Sequence, residues 1–535
     1  MIKGFRQIAS ITALSRVFGL IRDMVFSHFL GESGLMDAWV IAFRIPNLAR
    51  RLFGEGAASA SLIPVYSEQL EKDPHQAARL ANTVVTVIFV LLAAIVLLGW
   101  LAIYTYGILW AQTSETKLIL SLSATMLPYM LMVCTVAILA GILNVHRHFA
   151  APAAAPVILN VFIITAALLA GAVLKVGPRE QVFAIAAAVL IAGLIQISIQ
   201  FVPLRACGVS IRPAWDVHSD AFKKILIMMA PMIIGLTATQ INTLADDIIA
   251  WCLSGSAEKG SSFAAFGTDI HYPLWRGSVT HLYFSQRLYQ LPLGVLGISL
   301  ATAIFPVMSA AAAAGNLDSL SRTVARGIKG AIFIGLPTTV GLILVAQPFI
   351  SAVFEHGKFS ANATKMTTLV VCCYAPGLTG YFSQQILTRG FYSIQDSGTP
   401  AKSALIAVCV NVILNLSLIW FMGAAGLALS TAICSYLQVC ILVIVLRKRL
   451  GRSILQGVGT ALGKTFVATV ISLLVGGAVM VGCAGLPESR VFNVLRLGIV
   501  VPATAGVYIL AAGFLHIEML SLLTGTGRSD QCSTD

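Results

Sequence analysis

Residues 37–57 read DAWVIAFRIPNLARRLFGEGA and run directly into ASASLIPVYSE at 58–68. The apolar residues predict a helix in lipid, yet Asp37, Arg44, Arg50, Arg51 and Glu55 interrupt it. Residues seven apart share a helical face, so Asp37, Arg44 and Arg51 form one stripe, with Glu55 a turn beyond. At about 1.5 Å per residue the stripe covers about 27 Å, close to the hydrocarbon thickness of a bilayer. A charge at the bilayer centre costs at least about 2.5–3.5 kcal/mol. The stripe therefore faces water or an ion partner rather than lipid.

The rest of the chain fits this setting. Of 535 residues, 58% are hydrophobic and 11% charged, and mean hydropathy is +0.88. Soluble domains carry about 25% charged residues. The composition predicts an all-α polytopic membrane protein and leaves no stretch for a sizeable soluble domain. Runs of about 20 apolar residues recur along the length, and we count about fourteen spans. Those used below cover 8–30, 36–64, 223–253, 279–312, 366–391, 401–421, 424–446, 465–484 and 492–515. The start, MIKGFRQIASITALSRVFGLIRD at 1–23, has a basic n-region, but Arg16 and Arg22 break its apolar part. It reads as a retained first helix.

Lys and Arg collect on one side of the membrane, with RKRLGR at 447–452 as the clearest marker. Positive loops stay cytoplasmic, so both termini are expected there. This bias and the intramembrane arginines account for most of the net charge of +13; no nucleic-acid partner is implied. The ten cysteines lie nearly all in apolar spans without C-x-x-C spacing, which reads as packing.

Two stretches repeat. SASLIPVYS at 59–67 resembles ATAIFPVMS at 301–309, and HRHFAAP at 146–152 parallels YSIQDSGTP at 392–400. The nearly equal offsets predict two pseudo-symmetric six-helix lobes, 1–215 and 216–450, followed by two C-terminal helices within 451–518 and a polar cytoplasmic tail, 519–535. Such duplication is characteristic of alternating-access transporters, with the substrate site between the halves.

Arginine offers a planar fork of donors suited to phosphate and stays charged when buried. Arg16, Arg22 and Arg50 are read as lining a cationic cavity, whereas Arg51 reads better as a snorkelling residue at the interface. Asp23 shares a face with Arg16. The second half adds Arg287 in LYFSQRLYQLPLGVLG, 282–297, with Thr280 and Ser285 as polar neighbours of turn or capping type. QINTLADDIIAW at 240–251 places Asp246 and Asp247 deep in an apolar segment. Asn411 and Asn415 stand one turn apart, and Thr431 follows on the next span. Oxygen ligands of this kind suit a hard cation; the alternative is helix-to-helix hydrogen bonding by the amides.

Together SRVFGLIRD (15–23), the 37–68 stretch, QRLYQLPLGVLGISLATAIFPVMS (286–309) and RGFYSIQDSGTPAK (389–402) resemble the MurJ or MviN family of lipid II flippases, within the multidrug/oligosaccharidyl-lipid/polysaccharide exporter superfamily. The resemblance spans nearly the whole chain. It implies a non-enzymatic transporter of the bacterial inner membrane with a central cationic cavity. It implies that the last two helices form a groove for the lipid tail, and that undecaprenyl-pyrophosphate-linked disaccharide pentapeptide moves from the inner to the outer leaflet. Matching motifs places the substrate-binding positions at Arg16, Arg22, Asp37, Arg50 and Arg287, with Asp37 holding an arginine in place. The same matching makes Asp246, Asn411, Asn415 and Thr431 candidates for a sodium site, with sodium or the membrane potential as energy source. It implies no other cofactor; membrane lipids and cell-wall synthesis proteins are the further partners expected.

The chain departs from the family at Gln286 and Gln290, where acidic residues are frequent. The segment SGSAEKGSSFAAFGTDIHYPLWRGS at 254–278 is longer than usual. The rival readings are another polyprenyl-linked oligosaccharide as substrate, a small-molecule exporter of the same superfamily, or a membrane-embedded glycosyl or phosphoglycosyl transferase. The last would need paired carboxylates or a metal loop, and adjacent Asp246 and Asp247 diverge by about 100° on a helix.

Overall fold

The computed structural model describes residues 2–110, 113–265, 267–483, 485, 487 and 489–524. The tail GTGRSDQCSTD, 525–535, and the side chain of Glu55 lie outside the described residues. The chain divides into two compact units, residues 1–280 with 356–359, and residues 281–355 with 360–535. These units follow contact, whereas the lobe boundary expected at 215/216 follows internal repetition; the two quantities are distinct.

The first unit is helical apart from one small insertion. It contains α1 (Ile2–Phe29), α2 (Gly34–Ala49), a π-helical stretch (Arg50–Gly56), α3 (Ala57–Lys72), α4 (Pro74–Leu109) and α5 (Ser114–Val145). Then follow α6 (Ala150–Leu168), a second π stretch (Leu169–Val173), α7 (Pro178–Ala206) and α8 (Asp220–Cys252). Helix starts follow local chemistry. Ser33 accepts from the Met36 amide at the start of α2, and Thr113 from Thr116 at the start of α5. Asp73 accepts from His75 and Gln76 just before Pro74, a residue suited to a first helical turn. Helix α5 packs against α2, α4 and α7 and is the most enclosed span of the unit, with 72% of its apolar window buried. Aromatic rings tie α1, α2 and α5: Phe26 meets Trp39 edge-on at 5.4 Å, Trp39 stacks on Phe43 at 5.5 Å, and Phe43 lies 6.2 Å from Tyr129.

Between α8 and α9 (Ser278–Pro292) lie four short strands. β1 (Ser254–Gly255) pairs in parallel with β4 (Leu274–Trp275), and β2 (Ser262–Ala265) pairs antiparallel with β3 (Thr268–His271). This is the 254–278 segment, read from sequence as long, and it forms a small β insertion among helices.

The second unit takes the rest of α9, a π stretch (Leu293–Gly297), α10 (Ile298–Ala313), α11 (Leu317–Phe354), α12 (Ala361–Tyr374) and α13 (Gly377–Ser393). It continues with α14 (Gly398–Met422), α15 (Ala424–Leu450), α16 (Val458–Gly482), α17 (Arg490–Phe514) and the short α18 (Glu518–Thr524). Helix α11 is its hub, packing on α10, α12, α13, α16 and α17. α16 and α17 pair closely: Ser472 Oγ donates to Thr504 O at 2.8 Å, and Tyr508 OH donates to Phe333 O of α11 at 2.6 Å. Arg447, Lys448 and Arg449 occupy the last turn of α15, where the helix dipole favours positive charge.

The chain is thus an all-α polytopic membrane protein. Among the described residues ten helices are long and apolar enough to cross a membrane. The other four expected spans are also helical: α1 and α8 run unbroken, and two are interrupted. The span expected over 36–64 is built from α2, π stretch and α3, and that over 366–391 breaks between α12 and α13 at Ala375–Pro376.

Candidate functional site

The charges of the first unit are buried in company. Arg22 is 8% exposed. Its Nε and Nη2 donate to Asp23 Oδ1 at 3.0 and 2.7 Å, and Nη1 donates to Asn160 Oδ1 on α6 at 3.1 Å. Asn160 Nδ2 in turn donates to Ser15 O at 3.4 Å. Asp23 therefore pairs with its neighbour Arg22, although helical spacing put it on the face of Arg16. Arg16 is exposed and has no hydrogen-bond or ion-pair partner among the described residues.

Asp37 is wholly buried. Its expected partner was an arginine, yet its carboxylate receives three neutral donors instead. Gly277 N–H donates to Oδ2 at 2.7 Å, and Thr280 N–H and Oγ1 donate to Oδ1 at 2.8 and 2.7 Å. Those amides are the unsatisfied start of α9, so α2 supplies a carboxylate cap from 240 residues away in sequence. Gly277 sits at φ +100°, a conformation glycine adopts without strain. Thr280, read from sequence as a turn or capping residue, is itself capped, its amide and hydroxyl both donating to Asp37.

Arg44 Nε donates to Asp247 Oδ2 of α8 at 2.6 Å, and the Asp247 side chain is fully buried. Sequence reasoning named both residues without joining them. The signal was present: two opposite charges in apolar segments. Adjacent Asp246 is also buried, 1% exposed. Arg50 opens the π stretch and donates to Asn47 Oδ1 at 3.3 Å. Arg51 is exposed and donates to Gln240 Oε1 at 3.0 Å.

In the second unit, Arg287 is exposed on α9 and its guanidinium lies 4.8 Å from the Tyr283 ring centre, with Nη2 donating to Tyr283 OH at 3.1 Å. Gln286 is buried and its Nε2 donates to Tyr374 OH at 3.4 Å. Asn411 and Asn415 are fully buried, and the structure brings them together with Thr431. Asn411 Nδ2 donates to Ser430 Oγ at 3.3 Å and to Thr431 Oγ1 at 3.2 Å, and Asn415 Nδ2 donates to Asn411 Oδ1 at 2.9 Å. Ser430 Oγ donates to Asn415 Oδ1. Both amide oxygens accept hydrogen bonds within the set, which forms a polar clasp between α14 and α15. Ser430, its fourth member, was missed from sequence because a lone serine carries no charge or spacing signal.

Long apolar helices that carry buried ion pairs and exposed arginines define a polytopic membrane protein with a polar interior, the architecture of a membrane transporter. The comparisons with known proteins narrow this class. Residues 26–514 match the model of the family described as lipid II flippase MurJ. A probable lipid II flippase MurJ of Vibrio cholerae serotype O1 is 32% identical over 490 residues, covering 89% of this chain and 87% of that protein. A lipid II flippase MurJ of Burkholderia cenocepacia is 29% identical, covering 83% of each. This chain belongs to the lipid II flippase MurJ family. Among solved structures, a lipid II flippase MurJ in an inward closed conformation aligns with TM-score 0.74 at 22% identity, over 96% of this chain and 99% of that one. An inward-facing multidrug resistance MATE family transporter aligns at TM-score 0.61 and 15% identity, over 84% of this chain and 98% of that one. Both structural likenesses bear on the fold.

Proposed function

We propose that this chain is a lipid II flippase: a multi-pass transporter of the bacterial inner membrane that moves the lipid-linked peptidoglycan precursor from the inner to the outer leaflet by alternating access. The observation that carries this reading is the family match over residues 26–514. The fold alone is shared with multidrug transporters, and the sequence relatives separate the two. Both termini are assigned to the cytoplasm on the Lys and Arg bias.

Of the matched positions, Arg16 and Arg287 are both exposed, and we assign them to the pyrophosphate, with Arg50 as a third contact. Arg22 and Asp37 are engaged within the protein, and we assign them to holding α1, α6 and α9 in place. A guanidinium binds phosphate bidentately through its fork. The membrane potential is our preferred energy source, since about 2.3 kcal/mol is available per charge per 100 mV. Sodium held by the oxygens of Asp246, Asn411, Asn415 and Thr431 is the alternative source. Contact with other cell-wall synthesis proteins is a further expectation of this role.

The test is depletion-rescue in a bacterium whose own lipid II flippase is switched off. Wild type is expected to restore growth, while Arg16→Ala and Arg287→Ala fail at normal membrane abundance. Failure of well-expressed wild type would point to another polyprenyl-linked substrate. In vesicles, replacing sodium with choline should leave transport intact, and collapsing the potential should stop it; Asp246→Asn reports on coupling in either case.

A further inference from the structure

The β insertion is tied to the first unit at three points. Glu258 reaches the start of α5: Oε1 accepts from Ser114 N–H at 2.7 Å, and Oε2 accepts from Ser114 Oγ at 2.6 Å and Glu115 N–H at 3.3 Å. These are the unsatisfied amides of a helix N-terminus, and they favour an anion. Arg276, at the other end of the insertion, has a side chain only 7% exposed. Its Nε donates to Glu115 Oε2 at 2.9 Å, its Nη2 lies 2.9 Å from the same oxygen, and its Nη1 donates to Trp251 O at 2.7 Å. The guanidinium carbon also lies over Trp251, 3.4 Å from the ring centre. The next residue, Gly277, is the first of the two backbone amides held by Asp37.

The insertion thus joins the start of α5, the end of α8 and the start of α9 by charged contacts, and α2 closes the set through Asp37. A flexible surface loop would need none of these. Arginine suits this joint, because one planar group makes the carboxylate contact, the carbonyl bond and the ring contact together. Helix α9 runs without a break from Ser278 past Arg287. Wherever the helix begins, Arg287 follows at about 1.5 Å per residue.

We propose that the 254–277 insertion is a brace, and Arg276 its positioning residue, fixing where α9 begins and thereby where Arg287 meets the lipid-linked pyrophosphate. The inference rests on the flippase reading for its substrate, but the brace itself does not. Two measurements on the full-length protein separate them: hydrogen exchange of the 277–283 amides, and the half-saturating lipid II density for transport in proteoliposomes. Arg276→Gln is expected to speed exchange at 277–283 and to raise half-saturation about tenfold, the equivalent of one charge-assisted hydrogen bond. Maximal rate should fall much less. Read by direct lipid II binding, since Arg287→Ala is not expected to transport, the double variant Arg276→Gln/Arg287→Ala should bind no more weakly than Arg287→Ala alone, because residues acting through one another are not additive. Arg276→Lys, which keeps the charge and loses the fork, should not restore half-saturation. If Arg276→Gln fails to accumulate, Glu258→Gln at the exposed anchor is expected to give the same two changes, smaller in size. Unchanged exchange in the variants overturns the brace whatever the substrate, and an additive double variant overturns its link to Arg287. Faster exchange in variants of a wild type that moves no lipid II would uphold the brace and overturn the flippase reading.

Discussion

The segments α2–π–α3 and α9–π–α10 are built alike and charged differently. Each is a helix with a proline near its end, Pro46 or Pro292, then a π-helical stretch, then a helix with an internal proline, Pro64 or Pro306. A proline removes one backbone donor and crowds the preceding turn, and a wider turn absorbs the mismatch. The repeat first seen in SASLIPVYS and ATAIFPVMS thus extends to backbone irregularities. Even an arginine recurs: Arg44 is seven residues after Asp37, and Arg287 seven after Thr280. Their surroundings do not recur. Arg44 is paired with fully buried Asp247, whereas Arg287 is exposed and rests on Tyr283. The two segments share a backbone plan, and the side chains packed around it pair one arginine with a buried carboxylate and leave the other exposed.

The sharpest way to break this comparison is to remove both arginines in turn. Arg44→Ala leaves a buried carboxylate without its counter-charge and should cost about 3–5 kcal/mol, read as a large drop in thermal stability and membrane abundance. Arg287→Ala should change stability by no more than about 0.5 kcal/mol while abolishing rescue. Equal destabilisation by the two would show that the pair of positions is structural in both halves. Asp247→Asn should be milder than Arg44→Ala, because Arg44 keeps access to water.

Next in size is the cap that links α2 to α9. Asp37→Ala leaves the buried Gly277 and Thr280 amides without acceptors, at about 1–3 kcal/mol each; Asp37→Asn, which keeps one oxygen, should lose less. Denaturation in detergent would measure the difference, and equal losses would argue against hydrogen bonding as its source. The brace variants Arg276→Gln and Glu258→Gln follow, with effects on binding rather than abundance.

The smallest effect lies at the far ends of the two segments. α10 ends in a run of alanines, whereas α3 carries Glu68, which accepts from Lys224 and Lys72 at 2.8 Å each. The two ammonium groups, Lys224 first, hold the Glu68 carboxyl down at about 2. A depressed acid contributes stability above its ordinary value of 4.5 and loses it as pH falls through about 2. The stability gap between wild type and Glu68→Gln should therefore be constant at neutral pH and shrink below about pH 4.5. The group is solvent-exposed and screened by salt, so the gap should be small and should narrow further in high salt.

Sequence alone determined the class of fold, the repeat and the presence of charges that lipid will not solvate. Hydrophobic run length, helical period and the energetic cost of burying charge are local or compositional quantities, and they are written in the order of residues. The family motifs were legible for the same reason: long runs such as 37–68 are contiguous. Partners were a different matter. Asp37 meets Thr280, Arg44 meets Asp247, Arg276 meets Glu115 and Asn415 meets Ser430, across separations of 243, 203, 161 and 15 residues. Periodicity states which face of a helix a charge occupies and says nothing of the helix that packs there. Only the tertiary structure decided that Asp37 caps a helix instead of pairing with arginine, that Asp23 serves Arg22, and that the long 254–278 segment is tied down at both ends. Each outcome follows from which desolvated donors and acceptors came to lie within about 3 Å once the helices had packed.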